Sequence, residues 1–363
     1  MEVCPGGALV AMSGGVDSSV AAYLTREAGY QCIGMTMKLY DNEDVGLSKE
    51  HTCCSLDDVD DARAICYRLG FPHYVTNLKE AFSCQVIDRF VESYERGDTP
   101  NPCIDCNRYM KFSGLYEKAL MLGCDKIVTG HYARVCFDEQ SGLWQLRKAK
   151  NLAKDQTYVL YFLTQEMLAH TLFPLGEFAD KEEVRLLAQE QGFVNARKHD
   201  SQDICFVPDG DYAGFIRCRT GREYPPGDFV DTHGKVLGRH KGHIHYTIGQ
   251  RRGLGLALPA PLYVKAKDQE KNQVILSPEA EIFSGELIAA DFHWISGQVP
   301  EAPVRGAAKT RYRSKEGACT VYPLPGGRAR FVFEEPQRAI TTGQAVVLYD
   351  GDLVLGGGTI AET

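Results

Sequence analysis

The stretch ALVAMSGGVDSSVAAYLTREAG, Ala8 to Gly29, passes from an apolar strand through a glycine turn into a helix. Leu9, Val10 and Ala11 read as a buried strand. From Val16 the apolar positions Val16, Val20 and Leu24 recur every four residues until Gly29, a residue suited to closing a helix. A glycine-rich turn between a parallel strand and a helix N-terminus gathers backbone N–H groups into an anion site that suits phosphate. Ser13, Gly14, Gly15, Ser18 and Ser19 fit that job, although neither G-x-x-x-x-G-K-[ST] nor G-x-G-x-x-G is present. A bare Gly-Gly would equally make a tight turn and nothing more.

Outward from this unit the pattern repeats. YQCIGMTMKLY is strand-like, Val59, Ala62, Cys66 and Leu69 mark a helix face closed by Gly70, and HYVTNL is another short strand. Phe82, Val86, Phe90 and Tyr94 line one side of a further helix, and CDKIVTGHY supplies a further strand. Such alternation predicts an α/β domain with a parallel sheet covered on both faces. After about residue 207 short β-rich runs and Gly, Pro and Asp-Gly turns take over, with VDTHGKVLG and LYDGDLVLGGG reading as hairpins. We expect three units: 1–207 with the parallel sheet, a small β-rich unit over 208–283, and a C-terminal β-barrel over 284–363.

Composition agrees with a folded chain: 363 residues, 24% charged and 44% hydrophobic. No apolar run approaches the ~20 residues that span a bilayer, and MEVCPGGALV has no basic residue ahead of its apolar run, so neither a membrane span nor a signal peptide is expected. Thirteen cysteines, an odd number without a secretory signal, argue for reduced thiols and a cytoplasmic setting. A formal charge of −8 does not suggest a nucleic-acid binder, so an RNA partner must be argued from local clusters.

Two stretches present cysteines in unusual company. In DTPNPCIDCNRYMKF, Asp98 to Phe112, prolines on both sides of Asn101 are expected to prevent a regular helix and to put Cys103 and Cys106 on a loop. In KHDSQDICFV, Lys198 to Val207, Cys205 follows a polar run and begins an apolar one. Burial as a small apolar side chain is the default for the others: Cys4, Cys32, Cys53, Cys54, Cys66, Cys84, Cys124, Cys136, Cys218 and Cys319.

The strings SGGVDSS, TPNPxxxCN, TGHYxR and DSxxICF, in this order, resemble the tRNA-specific 2-thiouridylases of the PP-loop ATP pyrophosphatase class. The match extends through KDQTYVLYFL, HYTIGQRRGLGL, KTRYR and the terminal LGGGTI, nearly the whole chain. The resemblance implies ATP-dependent 2-thiolation of the wobble uridine in tRNAs for Lys, Glu and Gln. ATP would transfer AMP to the uridine 2-oxygen, a poor leaving group until so activated, and sulfur would then displace AMP at C2. Because the bond broken lies between the α- and β-phosphates, the loop would grip the leaving pyrophosphate and needs no lysine aimed at the γ-phosphate.

The resemblance assigns residues. Cys106 would be the nucleophile and Cys205 the persulfide carrier, loaded by a sulfur-donor protein. ATP would lie against Ala11, Met12, Ser13, Gly14, Gly15, Val16, Asp17 and Ser18, with Met37 near the adenine and Gly130 near the sugar or base. Asp17 would help hold Mg²⁺, whose hardness suits carboxylate oxygen; as a helix-start carboxylate it also suits the macrodipole. Asn101, Pro102 and Cys103 would border a flipped-out uridine. Lys154, Asp155 and Gln156, and Arg311 with Tyr312, would contact tRNA, Arg311 through phosphate and Tyr312 by stacking. Arg108 or Lys111 is expected to favour the Cys106 thiolate. Arg239, His240, Lys241, Arg251 and Arg252 would touch the RNA backbone or form a solvated face.

One position departs from the family pattern, which has aspartate where this chain has Cys103. Cys103 and Cys106 make a C-x-x-C, and with Cys205 they could supply three thiolates to a 4Fe–4S cluster with an open iron. Outside thiolation, a PP-loop ligase or amidotransferase acting on a small molecule would account for SGGVDSS only and leave Cys106, Cys205 and the β-rich half without a purpose. A non-enzymatic RNA- or cluster-binding module would carry a vestigial nucleotide loop, against which the retention of Asp17, Cys106 and Cys205 speaks.

Overall fold

The computed structural model describes residues 6–41, 56–198 and 204–363. A five-stranded parallel sheet orders its strands β3-β2-β1-β4-β7, with β1 Gly7–Ala11, β2 Gln31–Lys38, β3 His73–Asn77, β4 Cys124–Val128 and β7 Thr171–Leu172. Alternate side chains of a strand point to opposite faces, and β1 is apolar on both. Ala8 and Val10 pack against helices α1 (Val16–Glu27) and α2 (Leu56–Leu69) on one face. Leu9 and Ala11 pack with Leu115 and Ala119 on the other. The predicted strand-turn-helix unit and the doubly covered sheet are both present. From β1 the chain turns to β2 on one side and later places β4 on the other, so the crevice at the C-terminal ends of β1 and β4 is a topological switch point, where open α/β sheets hold ligands.

The expected helix face of Phe82, Val86, Phe90 and Tyr94 is buried, within a segment 79–95 that is π-helical over Ser83–Asp88. The second half is β-rich, as expected. Strands β8 Gly227–Asp231, β9 Val236–His240, β10 Tyr263–Asp268 and β11 Gln273–Ser277 form a four-stranded sheet, with β8 and β9 antiparallel as the predicted hairpin. Strands β12 Phe283–Trp294, β13 Val304–Lys309, β14 Gly317–Leu324, β15 Arg328–Arg338, β16 Ala345–Asp350 and β17 Leu353–Glu362 run in the order β12-β15-β14-β13-β16-β17 and close through β12–β17 pairing into a barrel.

A hairpin inside the first expected unit, β5 Ala133–Asp138 and β6 Leu143–Lys148, leaves the parallel sheet and extends the barrel sheet beyond β17. Arg134 and Arg147 both grip Asp352 of the barrel, at 2.7 and 2.6 Å. Aromatic residues Tyr158, Tyr161 and Phe162 then share one core with Val347, Tyr349 and Val354 of the barrel. The barrel is thereby packed onto the nucleotide-type domain. Among the described residues no helix is long and apolar enough to cross a membrane.

Candidate active site

Gly14 takes φ +72°, and a Cβ there would sit 2.4 Å from the Asp58 carbonyl oxygen, so glycine is required on both counts. The Ser18 hydroxyl donates to the Gly15 carbonyl at 2.9 Å and accepts from the Ser13 amide at 3.2 Å, while Ser19 donates to the same carbonyl at 3.1 Å. Asn195 closes the turn from outside, donating to the Gly14 carbonyl and the Ser19 hydroxyl, both at 2.9 Å. The hydroxyls of Ser18 and Ser19, expected to face phosphate, therefore brace the loop. Helix α1 has no side-chain cap at its N-terminus, which leaves backbone N–H groups for an anion.

Asp17 opens the helix with its Oδ1 accepting from the Tyr132 hydroxyl at 2.8 Å and from Lys181 Nζ at 2.5 Å. Lys181 begins helix Lys181–Glu190 and is nearly buried, its ammonium 5.5 Å from the Tyr132 ring centre. The cation missing after the glycines thus reaches the loop from a distant helix, a contact that no local motif announces.

The loop faces a cleft of about 1030 Å³. Ala11, Met12, Ser13, Gly15, Val16, Asp17, Ser18, Met37 and Gly130 line it, as do Lys154, Asp155, Gln156 and Tyr312. Residues spread over three hundred positions meet here. Gly130 is needed because a Cβ would lie 2.8 Å from the Asp17 carbonyl carbon, so the chain just beyond strand β4 meets helix α1 at this point. Lys111, Lys198, Lys309 and Arg313 also line the cleft, which holds five cations against three carboxylates although the whole chain is acidic. Lys198 is paired with Asp58 and Asp61 at 2.6 and 2.7 Å.

The roles within these motifs differ from expectation. Asp155 is buried, accepts from the Ala149 amide at 3.0 Å and the Thr157 hydroxyl at 2.6 Å, and has its carboxyl pKa raised by burial. Gln156 Oε1 accepts from the Tyr132 amide at 2.9 Å. Both shape the loop, leaving Lys154 as the cation of the trio at the cleft. Arg311 is not on the cleft wall: Nη2 donates to the Ile248 and Ala339 carbonyls at 3.0 and 2.9 Å and to Thr341 Oγ1 at 2.5 Å, tying the middle sheet's loops to the barrel. Arg313, two residues on, is the arginine at the cleft. An R-Y-R string does not say which guanidinium turns inward. Tyr312 bonds the Asp155 carbonyl at 3.4 Å and keeps its ring partly exposed. His240 is buried, accepting from the Gly242 amide at 3.0 Å, and so leaves the basic surface proposed for Arg239, Lys241, Arg251 and Arg252.

Cys103 and Cys106 lie on a helix, contrary to the loop expected. Pro102 occupies the first helical position, where its missing N–H is not needed, and Asn101 caps it by accepting from the Cys103 amide at 3.1 Å. Helix Pro102–Asp105 passes into a π-helical stretch, Cys106–Gly114. Its i→i+5 spacing sets Lys111 one wide turn beyond Cys106, with the Lys111 side chain in the cleft. Lys111 Nζ donates to His131 Nε2 at 3.4 Å, so His131 carries its proton on Nδ1 and donates to Thr129 Oγ1 at 2.6 Å. Burial, with Lys111 beside it, holds the His131 pKa well below its usual value. Arg108 instead lies over Phe162 and Tyr161, 5.2 and 5.9 Å from their ring centres. The segment before Cys103 is pinned by the barrel: Thr342 donates to Asp98 at 2.6 Å and Gln344 to the Thr99 carbonyl at 2.6 Å.

Cys106 and Cys205 are half-buried and pack, with Met37, against one aromatic cluster that includes Phe82, Phe90 and Phe206. The Tyr40 hydroxyl fixes Cys205 by donating to its carbonyl at 2.7 Å. Met37 belongs both to this cluster and to the cleft wall. Among the described residues no three Cys, His, Asp or Glu side chains converge as a metal would need, so Cys103, Cys106 and Cys205 do not fit a cluster-ligating trio. Cys32, Cys66, Cys124 and Cys319 are buried as expected, whereas Cys84, Cys136 and Cys218 are exposed. Cys4, Cys53 and Cys54 lie outside the described residues.

Comparison with known proteins identifies the family. The chain matches a family model described as a tRNA methyl transferase HUP domain over residues 7–209, a tRNA methyl transferase PRC-barrel domain over 214–278 and an aminomethyltransferase beta-barrel domain over 284–360. It is 51% identical over 353 residues, 97% of this chain and 98% of the relative, to the protein named tRNA-specific 2-thiouridylase MnmA in Acetivibrio thermocellus. The relatives of that name in Moorella thermoacetica and Symbiobacterium thermophilum are each 52% identical, over 97% of this chain and 98% and 91% of their own. The chain belongs to the tRNA-specific 2-thiouridylase family. The chain spans 91–98% of the length of these relatives.

Proposed function

We propose that this protein is an ATP-dependent tRNA sulfurtransferase that converts the wobble uridine of tRNAs for Lys, Glu and Gln to 2-thiouridine. One observation carries the reading: a single cleft with a surplus of cations holds the SGGVDSS turn, Met37, Gly130, Lys154 and Tyr312, with the Cys106 helix contributing Lys111. In this reading ATP lies against 11–18, Met37 and Gly130, the pyrophosphate rests on the start of α1, and Tyr312 stacks on an unpaired base. Asn101, Pro102 and Cys103 border the extruded uridine.

Asp17 is the cleft carboxylate suited to Mg²⁺, an ion held by one or two carboxylates together with substrate phosphates. Mg²⁺ would screen phosphate charge during AMP transfer. Lys111 faces the same charge and is oriented by neutral His131. Cys205 carries sulfur as a persulfide from a donor protein, and Cys106 completes its release. Residues 1–207 house the chemistry, while 208–283 and 284–363 hold the RNA, in the cytoplasm. The descriptions of the matched models mention methyl transfer, a chemistry that leaves Cys106 and Cys205 unused.

The test incubates the full chain with ATP, Mg²⁺, a persulfide donor and unmodified tRNA, then digests the RNA to nucleosides. We expect 2-thiouridine with AMP and pyrophosphate, and none from Cys106→Ala or Cys205→Ala. Release of ADP, or thiolation by both alanine variants, would overturn the proposal.

A further inference from the structure

The C-x-x-C formed by Cys103 and Cys106 spans a single helical turn. Around it the helix is tightened: the Ile104 amide reaches back three residues to the Asn101 carbonyl at 3.1 Å, and the Cys106 amide is shared between the Cys103 and Pro102 carbonyls. Positions i and i+3 of such a turn lie on one side of the helix, with Cβ atoms about 5–6 Å apart. Their Cα separation then falls in the range a disulfide bridges.

The two thiols differ in access. Cys103 is exposed, whereas Cys106 and Cys205 are half-buried against the aromatic cluster. Cys103 also lies near the cleft-lining Tyr312, whose phenol pKa is raised by burial first and then by the neighbouring charges of Asp155 and Cys103. Cys103 is thus a solvent-reachable sulfur one turn from Cys106 and close to Tyr312 of the cleft wall.

We propose that Cys103 is the resolving thiol of this site, opening the disulfide that sulfur transfer leaves between Cys106 and Cys205 and carrying the oxidation to the surface. The proposal rests on the persulfide reading above. In that reading the outer sulfur of the Cys205 persulfide bonds to C2 of the base as AMP departs with the C–O electron pair. The Cys106 thiolate attacks the inner sulfur, and the outer sulfur leaves on the base with the S–S electron pair, as the thiocarbonyl. What remains is a Cys106–Cys205 disulfide. Cys103 as thiolate then attacks the Cys106 sulfur, a bond forms between Cys103 and Cys106, and Cys205 leaves as thiolate, ready for reloading. A soluble dithiol reduces the Cys103–Cys106 bond, supplying two electrons and two protons.

The test runs one round of thiolation with no reductant, alkylates the protein and digests it with trypsin. The cysteines Cys103 and Cys106 fall in one peptide, 97–108, and Cys205 in another, which follows Lys198. We expect peptide 97–108 lighter by about 2 Da, the two thiol protons lost to an internal disulfide, with the Cys205 peptide alkylated. In Cys103→Ser we expect the two peptides cross-linked and 2-thiouridine limited to about one per enzyme even with a dithiol present. Equal accumulation of the Cys106–Cys205 cross-link in wild type and Cys103→Ser, repeated turnover of Cys103→Ser at the wild-type rate, or product without either disulfide would overturn the proposal. Absence of 2-thiouridine from wild type would instead refute the functional reading on which it rests.

Discussion

Replacing Lys181 with methionine tests whether the distant helix sets the nucleotide loop. Methionine keeps most of the stem's packing and removes the ammonium, so the loss is electrostatic. Truncating one partner of a fully buried ion pair costs about 3–5 kcal/mol. Here the Lys181 side chain is 11% exposed but Asp17 is 31% exposed, and the Tyr132 hydroxyl remains on the same carboxylate oxygen. Solvent and that second donor reduce the penalty to about 1–2 kcal/mol. With about 2–4 °C per kcal/mol for a domain of this size, the melting temperature should fall by roughly 2–8 °C. The larger effect should appear on ligand binding, because Asp17 is then free to swing from the start of α1. The assay is a melting series with increasing MgATP, run on wild type, Lys181→Met and Lys181→Arg. We expect the methionine variant to lose most of its ATP-dependent rise in melting temperature and the arginine variant to retain part of it. A methionine variant with wild-type melting temperature and an unchanged ATP response would refute the idea that Lys181 orders Asp17.

Gly14→Ala combines a left-handed backbone with a Cβ 2.4 Å from the Asp58 carbonyl oxygen, and should cost about 1–3 kcal/mol and abolish ATP protection in the same melting assay. Arg311→Ala and Tyr312→Ala should separate neighbouring roles. The first should lower thermal stability with little change in ATP affinity, and the second should weaken tRNA binding by about 1–3 kcal/mol of lost stacking in a filter-binding titration. Burial depresses the pKa of His73, His131, His240, His243, His245 and His293. The unfolded chain therefore takes up more protons than the folded one below the ordinary histidine range of about 6.5, and stability present above that pH should fall as acid is added, by up to about 1.4 kcal/mol per pH unit for each such group. Urea midpoints at neutral and mildly acidic pH check the sign, and a midpoint that rises on acidification would refute it.

The Asp17 clamp and the cleft cations have one physical reading. A chain with formal charge −8 gathers Lys111, Lys154, Lys198, Lys309 and Arg313 at one concavity, where low-dielectric walls strengthen their effect on polyanions. Two of the three carboxylates there, Asp17 and Asp58, are already answered by Lys181 and Lys198. Net charge therefore misreports the partner, and the local field describes it.

How much was legible beforehand depended on the range of the interaction. Ala8 to Gly29 determined its own strand, turn and helix, since apolar alternation, 3.6-residue periodicity and a positive-φ glycine are local properties. The ordered motifs from SGGVDSS to LGGGTI likewise determined the family. Even the error at Asn101-Pro102 was local, for a proline at the first helical position follows a cap and starts a helix where the same residue further in would stop one. What the tertiary structure alone decided was which side chains face the cleft. Arg311 is drawn away to carbonyls at Ile248 and Ala339, Arg313 takes the wall, Lys181 reaches Asp17 across 164 positions, and β5–β6 leaves its own domain to join the barrel sheet. These outcomes depend on pairings between distant segments, where hydrogen-bond geometry and burial select among chemically equivalent residues, and no local pattern carries that choice.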